Sequence, residues 1–180
     1  MRILYKILLA SLFVSCSNLS QSEKELKKII GKTLEINMFD IVQHKDTNYS
    51  VKFIRESHEF LSVVYLQDGC TPCYPKFIEW HQKMDSLNIT ANHAVLFVIQ
   101  GSNYSEFMRK VFIVDSNMVS KHYTIMDPFF EFSINNENIP RWIIDASVLI
   151  DAENKIQMVG APWLNEDMKK LFYKTVKNEQ

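Results

Sequence analysis

The sequence is short of glycine and has no surplus of charge of either sign, and these shortages exclude whole classes of function. Only 4 glycines occur in 180 residues, and no Gly-rich phosphate loop, Walker motif or serine-nucleophile elbow is present. A nucleotide cradle or a serine-hydrolase site is therefore not indicated. Lys and Arg number 20 and Asp and Glu 21, so the net charge of -1 supplies no basic field for nucleic acid.

Cysteine is equally scarce, with three in the chain: Cys16, Cys70 and Cys73. Because Cys16 stands at the end of an N-terminal leader, outside the domain, one close pair is left, which excludes a framework of several structural disulfides. No second cysteine pair and no paired histidines accompany it, so a zinc site is set aside and no cofactor is expected. The 47% of hydrophobic residues is nevertheless sufficient for the core of one domain.

The N-terminal leader, residues 1–15, is typical of an export signal. Arg2 and Lys6 provide positive charge, and the apolar run at 7–14 is too short to span a bilayer. The run leads into Val-Ser immediately before Cys16. This ending resembles a bacterial lipobox, which implies that Cys16 is lipidated and becomes the mature N-terminus. An ordinary signal peptide and an uncleaved membrane anchor are the alternatives.

Beyond the leader, residues 16–30 are expected to form a polar tether and a short helix, and residues 31–180 one domain. The helix is predicted from a capping-box pattern at Ser22 and Glu25 and from a stop signal at Gly31.

The chain is organised around a dithiol motif that follows a buried strand. The apolar run at 61–66 is rich in the β-branched and aromatic residues that suit a strand, and it ends at a turn signal. A Cys-Thr-Pro-Cys sequence occupies 70–73. Apolar residues then recur at helical spacing: Cys73, Phe77, Trp80, Met84 and Leu87.

A dithiol at the start of a helix has chemical consequences. The first helical turn has unpaired N–H groups and a partial positive charge, and both favour an anion. A thiolate at Cys70 is such an anion, so we expect its pKa to lie below the value of a free thiol. Cys73, one turn further on, is close enough to resolve a mixed disulfide.

The other elements are predicted from hydrophobic period and turn residues. They are an early strand at 32–38, a polar loop within 40–50, a central strand at 94–100, a helix at 103–114 (whose end, 111–114, would also suit a strand), a short strand at 122–126, a short helix or turn at 129–134, a hairpin of strands 146–150 and 156–160, and a last helix capped by Asn165.

The strand–Cys-x-x-Cys–helix arrangement resembles the thioredoxin-like superfamily, and in particular its exported thiol–disulfide oxidoreductases of the redoxin type. The resemblance implies an α/β fold with a central mixed sheet, helices on both faces, and a C-terminal hairpin followed by a helix. It also implies that Cys70 attacks a client disulfide, that Cys73 resolves the intermediate, and that an electron-donor dithiol protein recharges the pair.

Members of this superfamily usually carry a cis-proline opposite the dithiol, and its position here falls on Asp145 or Ala146. Pro140 is the nearest proline, but it lies too far from the turn that begins at Asp151, so no cis-proline is expected to face the dithiol. The substrate groove is predicted to comprise Thr71, Pro72, Asp145 and Ala146. A carboxylate at Asp145 would disfavour a thiolate on Cys70.

Two functions follow from this sequence. One is a disulfide reductase or isomerase, lipid-anchored to a membrane of the bacterial envelope. The other is a binding or structural lipoprotein that holds Cys70–Cys73 as an inert disulfide. A thiol peroxidase, in which one thiolate attacks peroxide, is a third alternative. An accessible Cys70 beside a buried Cys73 would favour the enzyme, whereas two buried cysteines would favour the inert pair. Glu79 and Asp68 are candidate proton-handling bases, although a solvated helix face and a turn explain them as well.

Overall fold

The computed structural model describes residues 19–45, 47–87 and 92–177. The leader and Cys16 lie outside these ranges, and so do the export and lipidation predicted there. Within the described ranges, none of the helices has the length and apolar character needed to cross a membrane.

The described residues form one seven-stranded sheet in the order β2-β1-β5-β4-β3-β6-β7, with helices between the strands. In chain order the elements are α1 Gln21–Ile29, β1 Ile41–His44, β2 Thr47–Ser50, α2 Val51–Ser57, β3 Phe60–Gln67, α3 Cys73–Ser86, β4 His93–Gln100, α4 Tyr104–Val114, β5 Tyr123–Asp127, α5 Glu131–Asn135, α6 Arg141–Ala146, β6 Val148–Ile150, β7 Ile156–Val159 and α7 Glu166–Val176.

The centre of the sheet is parallel and its flanks are antiparallel. Strands β3, β4 and β5 run parallel, whereas β6 and β1 pair antiparallel with their outer members. Parallel neighbours need long crossovers, which α3 and α4 supply. Because both faces of β3 are covered, Val63 packs into one core cluster and Val64 into the other. The predicted mixed sheet with a closing hairpin and helix is confirmed.

The parallel strands also fix where the dithiol lies. The carboxyl ends of β3, β4 and β5, at Gln67, Gln100 and Asp127, meet at one edge of the sheet. The Cys-Thr-Pro-Cys sequence follows β3 directly and leads into α3. Ligand and reaction sites of open α/β sheets usually lie at this edge.

The N-terminal part of the domain differs from the sequence prediction. Residues 32–38 form no strand beyond a single bridge between Thr33 and Lys155. Leu34 and Ile36 are buried against the core, which explains the alternation that suggested a strand. The predicted polar loop is instead the hairpin β1–β2, whose polar residues suit a strand pair at the edge of a sheet.

Helix α1 begins one half-turn earlier than predicted. Its capping box is formed by Ser20 and Glu23 and not by Ser22 and Glu25. The helix is fastened to the domain at two points, since Ile29 is buried in the core and the indole N–H of Trp142 in α6 donates to Glu25 Oε2 at 2.8 Å.

Between β5 and β6 the chain makes two short helices. The carboxylate of Asp127, which is fully buried, accepts hydrogen bonds from the N–H groups of Glu131 and Phe132 at 2.9 and 3.0 Å and so holds the start of α5. Strand β6 begins at Val148, two residues later than predicted, because α6 extends to Ala146. Ser147 joins them with a φ of 80°.

Candidate active site

Cys70 and Cys73 form a disulfide at the N-terminus of α3, and their Cα atoms are 5.3 Å apart. The Cys73 N–H donates to the Cys70 carbonyl oxygen at 2.9 Å, which closes the turn between them. Thr71 and Pro72 at the tip of this turn are exposed, and both cysteines are half-buried. The disulfide is therefore open to solvent on one side.

The two sulfurs have different surroundings. Cys73 packs against the core cluster that contains Phe77 and Trp80, and its Sγ accepts a hydrogen bond from the Gln67 N–H at 3.4 Å. Cys70 precedes the first helical residue and belongs to neither core cluster. Cys70 is thus the outer sulfur and Cys73 the inner one. Cys73 is nevertheless only half-buried, whereas a buried Cys73 was expected for an enzyme.

A pocket of about 250 Å³ opens beside the disulfide. Of the four residues predicted to form the substrate groove, Pro72 and Asp145 line this pocket together with both cysteines, whereas Thr71 and Ala146 do not. The lining residues are Tyr65, Leu66, Gln67, Cys70, Pro72, Cys73, Lys76, Arg141 and Asp145.

The Asp145 carboxylate is not an isolated charge. Arg141, one turn earlier in α6, places its Nε 2.8 Å from Asp145 Oδ1, and its guanidinium stacks 4.7 Å from the centre of the Tyr65 ring. The expected disfavouring of a Cys70 thiolate by Asp145 is thus offset by a cation in the same pocket. Among the described residues no peptide bond is cis, and Pro140 stands at the start of α6.

Comparison with known proteins identifies the fold. No family model and no curated protein matches the sequence. The reduced 2-Cys peroxiredoxin of Plasmodium vivax is 16% identical with a TM-score of 0.57, and the match covers 84% of this chain and 99% of that chain. The chain has the thioredoxin-like fold.

Two further solved structures agree with this. A thiol-disulfide oxidoreductase from Bacteroides fragilis is 14% identical over 78% of this chain and 99% of its own, with a TM-score of 0.54. A structure from Chlorobium tepidum, assigned as the thiol:disulfide interchange protein DsbE, is 13% identical over 82% and 97%, with a TM-score of 0.55. The match spans nearly the whole of each, so the thioredoxin-like region accounts for most of the described chain.

Lys76 is a pocket residue that sequence reasoning did not single out. Its Nζ donates to the main-chain oxygens of Asp145 and Tyr65, at 2.6 and 3.5 Å. Burial lowers the pKa of Lys76 to about 8, although the charges of Asp145 and Glu79 act in the opposite direction. In the sequence, Lys76 shares a helix face with Glu79 and Lys83, and only the position of α6 beside α3 shows that it is half-buried.

Neither of the two acids considered as bases lines the dithiol pocket. Asp68 Oδ1 accepts hydrogen bonds from the Tyr74 hydroxyl at 3.0 Å and from Lys110 Nζ at 2.8 Å. Burial raises the pKa of Asp68, but these hydrogen bonds outweigh it and hold the pKa below its usual value. Glu79 is exposed and accepts from the Trp163 indole at 2.8 Å. Asp68 therefore braces the turn before the dithiol, and Glu79 links α3 to the segment before α7.

All five histidines gather at the opposite edge of the sheet, at the start of the parallel strands. Four of them, His44, His58, His93 and His122, line a cavity of about 470 Å³. His81 lies behind it, its ring centre 4.7 Å from that of His122. Nothing in the described residues groups three or more His, Cys, Asp or Glu side chains so that they could hold a metal ion. This cluster could not be predicted from local sequence patterns, because its members come from five separate segments.

Burial sets the protonation of these rings. It lowers the pKa of His81 and His93 to about 3 each and that of His122 to about 4. All three are therefore neutral at pH 7. His81 is almost fully buried, and its Nε2, like that of His122, has no hydrogen-bond partner among the described residues.

Proposed function

We propose that this protein is a thiol–disulfide oxidoreductase that exchanges the Cys70–Cys73 disulfide with thiols and disulfides of client proteins. The observation that carries the proposal is a close disulfide at a helix N-terminus, half-buried and open to a pocket. The thioredoxin-like fold of its structural neighbours supports it.

The inert alternative is less well supported. An inert pair was expected to be buried together, and neither cysteine is. A cross-link between residues three apart also closes a very short loop, so it removes little entropy from the unfolded chain and is an inefficient staple. A disulfide at this position is better suited to reversible reduction and oxidation than to stabilising the fold.

The chemical steps follow from where each sulfur lies. In the reduced protein the Cys70 thiolate, stabilised by the N-terminus of α3, attacks one sulfur of a client disulfide and releases the other as a thiolate. The Cys73 thiolate then attacks Cys70 Sγ, which re-forms the Cys70–Cys73 disulfide and releases the second client thiolate. The client gains two electrons and the dithiol loses two. A donor dithiol protein must then reduce the pair again.

Cys70 is assigned as the attacking thiol because of its position. It precedes the helix and lies outside the core clusters, whereas Cys73 contacts the core and accepts a backbone hydrogen bond. The pocket formed with Pro72, Arg141 and Asp145 supplies the surface on which an extended client segment would lie. The exposed Thr71 and the half-buried Ala146 would border that surface.

The proposed location is the bacterial cell envelope, with the protein held on the periplasmic side of a membrane by lipid at Cys16. Residues 1–15 would be the signal peptide, 16–30 the tether and first helix, and 31–180 the redox domain. The sequence pattern around Cys16 supports this. Mass spectrometry of membrane-extracted protein tests it: a mature chain that begins at a lipid-modified Cys16 is expected, and an unmodified peptide spanning Ser15 and Cys16 would contradict it.

A trapping experiment tests the redox function. Cys73→Ala should accumulate mixed disulfides with envelope proteins, because the resolving thiol is absent, whereas the matched Cys70→Ala variant should accumulate few. Reduction of insulin by the reduced wild-type protein is expected in the same preparation. Equal trapping by both variants would contradict the assignment of Cys70, and consumption of peroxide without reduction of insulin would favour a thiol peroxidase instead.

A further inference from the structure

We propose that Lys76 is the proton acceptor for the resolving thiol of Cys73 during disulfide exchange. This inference rests on the proposed oxidoreductase function and assigns a proton-handling group within the same pocket. It replaces the two acids, Asp68 and Glu79, that sequence spacing offered for the role.

The geometry places Lys76 in the same pocket as the two reacting cysteines. Lys76 follows Cys73 by one helical turn, and residues three apart in a helix lie on the same face. Both side chains line the pocket that also receives Cys70. The carbonyl oxygens of Tyr65 and Asp145 accept hydrogen bonds from Lys76 Nζ and so hold it at the pocket wall. An ammonium has three donors, and two carbonyl groups occupy at most two of them.

The charges around Lys76 leave it able to give up its proton. Asp145, whose main-chain oxygen accepts from Lys76 Nζ, is paired through its carboxylate with Arg141 of the same helix. Glu79, on α3, is exposed and bonded to the Trp163 indole. No carboxylate in the described ranges lies within ion-pair distance of Lys76 Nζ. Burial therefore dominates and lowers the pKa of Lys76 to about 8, close to that of a free thiol at roughly 8.5.

A group with this acidity can act twice in one turnover. The neutral amine of Lys76 takes the proton of the Cys73 thiol, and the resulting thiolate attacks Cys70 Sγ in the mixed disulfide. The Cys70–client S–S bond breaks, the Cys70–Cys73 bond forms, and the client sulfur leaves as a thiolate. The ammonium then returns its proton to that thiolate. Lys76 ends the cycle as it began, and the two electrons pass from the dithiol to the client.

The test observes the resolving step without a natural client. Reduced protein is mixed in a stopped-flow instrument with excess Ellman's aromatic disulfide. Attack by Cys70 releases one coloured thiolate, and resolution by Cys73 releases a second. Lys76→Met removes the amine, Lys76→Arg keeps a cation that cannot lose its proton, and Lys83→Met, at an exposed position of the same helix, is the matched control. Urea unfolding confirms that each variant is folded.

Both Lys76 variants should slow the second release about tenfold or more at pH 7. The rise in its rate should move to higher pH, where the Cys73 thiol ionises without a base, and the first release should be much less affected. Added propylamine should restore part of the rate in Lys76→Met, which a merely structural role would not allow, and Lys83→Met should behave as wild type. A wild-type rate and pH profile in Lys76→Arg would overturn the proposal, since charge alone would then suffice. If the folded wild-type protein showed no first release, the proposed oxidoreductase function itself would fail.

Discussion

The histidine cluster predicts that the protein loses stability steeply in mild acid. His81, His93 and His122 have pKa values of about 3, 3 and 4 in the folded protein, against an ordinary value of 6.5. The unfolded chain therefore binds more protons than the folded one as soon as the pH falls below about 6.5. Each of these groups contributes stability that is fully present above that pH and is lost as the pH falls towards its folded value.

The size of the effect follows from the unfolded pKa alone, provided that the folded values lie well below the working pH. At pH 5 each ring costs about 2 kcal/mol relative to neutral pH, so the three together cost about 6 kcal/mol. This is an upper bound, because it takes all three rings as fully neutral in the folded protein at pH 5. A domain of this size typically has a free energy of unfolding of roughly 5–15 kcal/mol. The protein should therefore lose a large part of its free energy of unfolding between pH 7 and pH 5.

Urea unfolding monitored by tryptophan fluorescence, at several pH values between 7.5 and 5, measures this loss directly. This pH range lies above the range in which most carboxylates titrate. The slope of the free energy of unfolding against pH therefore measures mainly the protons that imidazole rings take up on unfolding. We expect these three rings to take up nearly three protons on unfolding at pH 5, and His44, whose pKa burial also lowers, to add a smaller share. Replacing His122 by Gln should reduce the uptake by about one, while the exposed Lys83→Met should leave it unchanged. An uptake below one proton in the wild type would refute the reasoning.

Two further changes test the segment that borders the dithiol pocket. Ser147 has a φ of 80° and a ψ of 154°, a conformation that glycine adopts at little cost, so Ser147→Gly should raise the free energy of unfolding by about 1 kcal/mol. Ser147→Ala, which keeps the strain, should not, and a gain in both variants would contradict the argument. Asp127→Asn leaves one of the two N–H groups at the start of α5 without a good acceptor and should cost about 1–3 kcal/mol. A urea midpoint equal to that of the wild type would contradict it.

The sequence was sufficient where local signals and tertiary structure agreed. The strand before the dithiol, the helix that begins at Cys73, the helix capped by Asn103 and the C-terminal hairpin were all predicted, because each has a hydrophobic period bounded by a turn or cap. The prediction of a strand at 32–38 was wrong. Apolar and polar residues alternate there because Leu34 and Ile36 are buried, and a buried segment need not pair with a neighbouring strand.

The pocket could be predicted only in part. Asp145 was predicted to face the dithiol from the resemblance, by counting back from the turn at Asp151 with the spacing that is usual in the superfamily. Arg141 and Lys76 were not, because their roles depend on α6, a helix of six residues with no cap or period to mark it. Long-range packing, which local spacing does not encode, decides the charge of this pocket.

The attachment of helix α1 to helix α6 has a consequence for where the reaction would occur. If Cys16 carries lipid, only four peptide links separate it from Ser20, the first residue of the capping box, and such a segment spans at most about 14 Å. The hydrogen bond between Trp142 and Glu25 and the burial of Ile29 in the core hold α1 against the domain. Helix α1 therefore cannot swing away and lengthen the link between the lipid and the domain. Helix α6, which carries Arg141 and Asp145, would be restrained near the headgroups. Clients confined to the same bilayer would then meet the dithiol at a high effective concentration, whereas clients further out in the periplasm would have to diffuse to the surface.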